Sequence, residues 1–274
     1  MKYAYSTLAC PAWSIEQMIG AAKHFGYDAL EFRLLDGEVL DPVADRAKLE
    51  RAVRLTRAAG LDVCAIDTSC RLYYRNPEEE AQYTAELRHW IQLAQDLQVP
   101  LLRVVGGPTE MDGQPPPPDA AVDARVAASL GQGAPAAERA GVTLALETHD
   151  TYSAARRVAA VLDQVESPAV GAVWDSLHPY RMGENPAEVL ALLGSRLVHT
   201  HVKDARRLDP AGSRWQQVLL GDGEVPLSEG LLMLQQQGYT GYVSAEWEKK
   251  WNMQLAEPEV ALPQHIDWLR SVLA

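Results

Sequence analysis

The chain has 274 residues, 47% of them hydrophobic, three cysteines and a formal charge of −12 at pH 7. That length suits one α/β barrel or two modest domains. The charge repels a phosphate backbone and counts against nucleic acid as a partner, and no apolar run reaches the about 18 residues of a membrane span.

The N-terminus, MKYAYSTLACPAW, lacks the sustained apolar stretch of a signal peptide. Cys10, Cys64 and Cys70 share no metal-type spacing and read as reduced thiols of a cytoplasmic protein. Further along, short β-rich runs alternate with amphipathic stretches. The runs at 3–9, 29–33, 62–68 and 101–107 read as the first four strands, and those at 142–147, 170–175, 197–203 and 242–246 as four more. Between them lie patterns such as EEEAQYTAELRHWIQLAQDL (78–97), with apolar residues three and four apart. Ser14-Ile15-Glu16-Gln17 predicts a capping box opening the first helix. Gly26, Gly60, Gly141 and Gly238 each stand just after a helical stretch and just before a strand, as left-handed caps would.

Strict β-then-α alternation requires right-handed crossovers and a parallel sheet. Eight such units in about 250 residues predict an α/β fold, a (β/α)8 TIM barrel occupying residues 1–274 as a single domain. An open doubly wound sheet would want a glycine-rich phosphate turn after the first strand, and Leu8-Ala9-Cys10-Pro11 is not one. The stretch GGPTEMDGQPPPPDA (106–120) predicts a stiff rim or lid, and the long connection at 204–230 a functional loop; both follow strands, on the face where barrels place active sites.

The last four strands carry a pattern at their C-terminal ends. Strand five ends in Glu147, strand six in Asp175, strand seven bears His199 and His201, and strand eight ends in Glu246. Three carboxylates on one rim would raise each other's pKa values, and a divalent cation removes that conflict. The oxygen-rich set with one imidazole suits Mn²⁺, with Mg²⁺, Co²⁺ or Zn²⁺ as substitutes. Strand parity puts His199, His201 and Lys203 in one row, with His201 nearer the rim and His199 a satisfied neighbour one layer down. Lys203 reads either as a substrate contact or as half of a loop ion pair with Asp204.

These residues resemble the xylose isomerase-like barrel superfamily: Glu147, the W-D-x-x-H of Trp174 to His178, the H-x-K-D of His201 to Asp204, Glu246, and the second-strand stretch Tyr27 to Arg33. Members include sugar epimerases and isomerases, inosose dehydratases and apurinic-site endonucleases. The resemblance implies metal ligands at Glu147, Asp175, His201 and Glu246, a substrate-contacting histidine at His178 and a substrate-binding arginine at Arg207, with Arg206 its close competitor. Ser153 stands where the ketose 3-epimerases have a glutamate, which argues against that exact activity.

The expected activity is that of a sugar or polyol isomerase or epimerase, with Glu147 and Glu246 as catalytic acid and base working through a metal-stabilised enediolate. A lyase or dehydratase acting on a keto-inositol or 3-keto-glycoside is the alternative; a metal-dependent apurinic-site endonuclease ranks well below, and a non-catalytic sugar-binding barrel last. Rim aromatics, Trp13 and Trp247 first, are candidates to stack on a sugar. The lack of a glycine-rich turn points to a neutral substrate, and family analogy to a homodimer.

Overall fold

In the computed structural model, residues 1–74, 76–107, 119–209 and 214–274 are described. Eight strands form the closed ring: β1 (Lys2–Ser6), β2 (Ala29–Phe32), β3 (Asp62–Arg71), β4 (Leu101–Val105), β5 (Thr143–Glu147), β6 (Val170–Asp175), β7 (Leu197–Val202) and β8 (Tyr242–Ala245). Each pairs in parallel with its neighbours, and β8 closes on β1 with Lys2 opposite Tyr242 and Tyr5 opposite Ala245. The fold is therefore a (β/α)8 barrel, as the alternation of elements predicts.

The helices are α1 (Ile15–Phe25), α2 (Arg46–Ala58), α3 (Pro77–Leu97), α4 (Ala120–Ala140), α5 (Ala155–Leu162), α6 (Leu177–Arg181), α7 (Pro186–Leu193), α8 (Leu227–Gln236) and α9 (Pro258–Leu273). Helix α1 opens with the expected reciprocal cap, Gln17 N–H donating to Ser14 Oγ and Ser14 N–H to Gln17 Oε1. All four predicted cap glycines take positive φ, from 68° at Gly141 to 84° at Gly26. The buried faces of the helices and the outward faces of the strands make one continuous apolar layer.

Only β6 matches the sequence reading at both ends; the other strands differ by one to three residues at an end, and three of these differences have a local cause. Strand β1 stops at Ser6 because its hydroxyl accepts the Leu8 N–H at 3.4 Å and turns Thr7–Ala9 into a 3-10 turn. Strand β3 runs on to Arg71, past a register shift after Asp67, because Cys70 N–H bonds back to Thr68 Oγ1 at 3.1 Å. Strand β7 stops at Val202, and Asp204–Arg207 pairs antiparallel with Trp215–Val218 as a hairpin over the rim. Residues 108–118, most of the proline-rich lid expectation, and 210–213 of the long connection lie outside the described residues.

The inside of the barrel follows a simple rule. A small cluster of Ala4, Ala29, Cys64, Ala65, Leu101, Ala145 and Val173 is separate from the outer layer. Six of these seven stand two residues before a polar side chain, on the same strand face. The pairs are Ala4 and Ser6, Ala29 and Glu31, Ala65 and Asp67, Leu101 and Arg103, Ala145 and Glu147, Val173 and Asp175. With His201 and Glu246 from β7 and the end of β8, every strand delivers one polar residue, all 6% exposed or less, above a low apolar floor.

Candidate functional site

His201 is the hub of that polar layer. Its Nδ1 lies 2.6 Å from Glu147 Oε1 and 3.6 Å from Glu246 Oε2, and its Nε2 lies 2.6 Å from Glu31 Oε1. Glu31 turns its second oxygen to His199 Nε2 at 2.8 Å, so one carboxylate ties both histidines of the β7 row. His199 thus has the satisfied partner its position one layer down implies.

Glu147 is clamped from the other side. Arg103 donates through Nε to Glu147 Oε2 at 2.5 Å and brings a second guanidinium nitrogen onto the same oxygen, while its Nη1 donates to the Thr68 carbonyl at 3.1 Å. Lys203 is 2% exposed, and its ammonium lies 2.7 Å from Glu246 Oε2, 3.1 Å from Asp175 Oδ2 and 2.6 Å from Glu248 Oε1. Asp175 Oδ1 accepts the N–H groups of Leu177 and His178, opening the short helix α6.

These contacts set the charge states. Burial alone would raise the Glu147 carboxyl, but Arg103, His201 and His149 outweigh it and hold it well below the usual range. Burial would lower His201, yet Glu31, Glu246 and Glu147 keep it well above its ordinary value. Burial would likewise lower Lys203, and Asp175, Glu246 and Glu248 raise it instead. Asp67 goes the other way: burial and then Glu31 push it well above the usual carboxylate range. His178 is driven well below its ordinary value by burial, then by His149 and Lys203.

Glu147, Asp175, His201 and Glu246 each bring one donor atom within 4.8 Å of the others, all four being buried. Asp175 Oδ2 and Glu246 Oε2 are buried and face the Lys203 ammonium at 3.1 and 2.7 Å, and Asp175 Oδ2 has no hydrogen bond among the described residues. Three carboxylates and an imidazole, the ring giving up a proton to ligate, suit a divalent cation. A second trio, Glu31, His199 and His201, shares His201 with the first and so supplies a supporting shell to it.

The other sequence-predicted residues scatter. His178 sits beside the quartet, Nε2 3.9 Å from Asp175 Oδ2, its ring edge-on to His149 at 4.7 Å and neither nitrogen hydrogen-bonded among the described residues. Arg207 and Arg206 are exposed on the hairpin: Arg207 lies over Trp215 at 5.1 Å and Arg206 donates to the Asp222 carbonyl at 2.6 Å. Trp13 is half-buried and packs on the outer apolar layer. Trp247 is 2% exposed, its indole N–H donating to Ala256 at 2.9 Å and its ring meeting His265 edge-on. That burial leaves Trp247 no open ring face for a sugar; Trp251, at 55% exposure on the same loop, has one.

A cavity of about 190 Å³ opens above the quartet, lined by Arg33, Asp67, Arg71, Arg103, Glu246 and Trp251 among others. Sequence reasoning missed Glu31, Asp67 and Arg103, all from the first half of the barrel. The two-residue spacing from Ala29, Ala65 and Leu101 marks them, once the floor residues are known.

Comparison with known proteins agrees with this architecture. The chain is 37% identical over 92 residues to 3-oxo-isoapionate decarboxylase of Pectobacterium atrosepticum, covering 32% of this chain and 33% of that one. It is 28% identical over 154 residues to fructoselysine 3-epimerase of Escherichia coli, covering 54% and 53%. It therefore matches one third to about half the length of these curated relatives. Among solved structures, an L-ribulose 3-epimerase superposes with a TM-score of 0.80 at 19% identity, covering 99% of this chain and 94% of that one. The IOLI protein with a bound zinc atom superposes with a TM-score of 0.79 at 18% identity, covering 100% and 96%. At such low identities these superpositions establish a common fold alone. A family model, the xylose isomerase-like TIM barrel, matches residues 19–272, and the chain belongs to that family.

Proposed function

We propose that this chain is a metal-dependent sugar or polyol isomerase or epimerase. The observation that carries the reading is the buried quartet of Glu147, Asp175, His201 and Glu246 at the mouth of a closed barrel. The resemblance to an epimerase that acts on fructoselysine agrees with it.

A divalent cation held by the quartet, manganese in our reading, would polarise a carbonyl and a neighbouring hydroxyl of the substrate. Glu147, kept ionised by Arg103, takes a proton from the carbon beside that carbonyl. Glu246, with the Lys203 ammonium 2.7 Å away as its proton source, delivers a proton to the other face in epimerisation, whereas in isomerisation Glu147 returns its own proton to the adjacent carbon. His178, held neutral with two unspent nitrogens, receives a substrate hydroxyl. Trp251 is the rim aromatic available for stacking, in place of Trp247.

A lyase is the second reading, supported by the 37% identity to a decarboxylase. An elimination shares the proton-labile carbon and differs in what leaves next, whereas a decarboxylation breaks a carbon–carbon bond in place of that C–H bond. Protein analysed for metal and incubated in deuterated water with ketoses, inososes and keto-glycosides separates the two. Deuterium at the α-carbon without elimination supports the isomerase, and release of water, aglycone or carbon dioxide supports the lyase. Glu147→Gln that binds metal yet keeps full exchange would rule Glu147 out as the base.

A further inference from the structure

Two arginines at the rim stand apart from the charge network below them. Arg33 follows β2 and Arg71 ends β3, and both line the cavity above the quartet. Among the described residues, neither lies within 4.0 Å of a carboxylate, although the chain has 37 acidic residues against 25 basic ones. The cavity's other charges already have partners: Arg103 has Glu147, Glu246 and Glu248 have Lys203, and Asp150 has His149 at 3.0 Å. The charges of Arg33 and Arg71 lie on the β2–β3 side of the mouth, while on the other side three carboxylates, Asp175, Glu246 and Glu248, share the one ammonium of Lys203.

Arg33 is also aimed. Its Nη1 donates to Ser69 Oγ at 2.9 Å and to the Asp67 carbonyl at 3.2 Å, which fixes the plane of the guanidinium. The Nε–Nη2 edge, the fork that matches a carboxylate, has no acceptor among the described residues. Arg71 likewise has no side-chain hydrogen bond among them. In an eight-strand ring, β2 and β3 lie across the mouth from β6 and β7, which carry Asp175 and His201. A ligand that meets the quartet at one end thus reaches the arginine pair at the other.

We propose that the substrate carries a carboxylate, seated on Arg33 and Arg71, and is therefore a sugar acid or small polyhydroxy keto acid in place of the neutral sugar that the sequence suggests. The inference rests on the proposed function for the polyol end of the ligand only. A carboxylate is favoured over a phosphate because, among the described residues, no glycine-rich turn lines the cavity and the net charge of −12 disfavours a dianion.

A matched pair of probes tests it: D-erythronate and erythritol, which differ only in carboxylate against hydroxymethyl, titrated calorimetrically into manganese-loaded and metal-free protein. The acid is expected to bind about 10- to 100-fold more tightly in both forms, as one charge-assisted bidentate contact implies. The metal-free arm removes simple chelation of the acid. Arg71→Gln and Arg33→Gln should each erase most of that preference while metal content stays the same. If Arg33→Gln does not fold, Arg33→Lys, which keeps the charge and loses the fork, tests the same contact.

No preference in the wild type, no detectable binding of the acid, or a preference that survives both substitutions overturns the proposal. So does tighter binding of erythritol 4-phosphate through the same arginines, which would assign the pair to phosphate. Glu147→Gln should keep the preference for the acid while losing deuterium exchange, so failure of the anion site and failure of the proposed chemistry read out separately.

Discussion

Arg103 holds one oxygen of Glu147 through Nε at 2.5 Å and leaves the other to His201 Nδ1 at 2.6 Å. The guanidinium thereby supplies the positive charge that lets a wholly buried carboxylate stay ionised before any cation arrives. Arg103→Met strips that charge from a wholly buried carboxylate. The metal-free variant should lose about 3–5 kcal/mol of stability, the cost of breaking a buried pair. Added manganese should recover much of the loss, because the cation then faces the same carboxylate. Urea unfolding with and without metal measures both.

Glu31 accepts from both histidines of the β7 row. A carboxylate behind a ligating imidazole fixes its tautomer and raises its basicity. Glu31→Gln should therefore weaken metal binding by about 10- to 100-fold without removing a ligand. Competition against a chromogenic chelator reads that affinity directly; unchanged affinity would separate Glu31 from the site.

His265, 1% exposed with neither nitrogen hydrogen-bonded among the described residues, is pushed by burial down to about 3. In the unfolded chain the ring takes up its proton below about 6.5. Between those values the unfolded state binds more protons, so the contribution is whole above about 6.5 and is lost as pH falls to about 3. The slope is at most about 1.4 kcal/mol per pH unit. His265→Phe, keeping a ring against Trp247, should flatten that part of the stability profile relative to wild type in denaturant titrations across the window.

Gly171 lies in β6 where a Cβ would meet the Arg196 carbonyl and Val198 Cγ1, each at 2.8 Å. The Arg196 backbone, just before β7, cannot give way there as a side chain could. Gly171→Ala should cost about 1–3 kcal/mol, the usual penalty of overpacking, seen as a lowered thermal midpoint with metal stoichiometry unchanged.

The eight strands and the quartet are legible in the sequence because each rests on local pattern: a β-rich run, a glycine stop, an acid or histidine at the run's end. Glu147 and Asp175 end their strands, where an acid stands out. Arg103 sits mid-run in LLRVV, and its partner Glu147 is on the next strand, two residues beyond the Ala145 that Arg103 faces in register. That meeting depends on the stagger of a closed barrel, which one strand's sequence does not contain. Trp247 misled for a related reason: adjacency to Glu246 says nothing about which way a side chain leaves a loop. Lys203 and Asp204, neighbours in sequence, also part company. Lys203 enters the acid cluster, while Asp204 accepts N–H groups from Ala205, Gly221, Gly223 and Val225.

That four-amide knot at Asp204 has an evolutionary side. It fastens both ends of the connection between β7 and α8 to one carboxylate, immediately beside Lys203. The stretch between the two hairpin strands can then lengthen, shorten or change composition with Lys203 held at the quartet. A lineage could exchange the outer part of this loop while the machinery beneath stayed as it was.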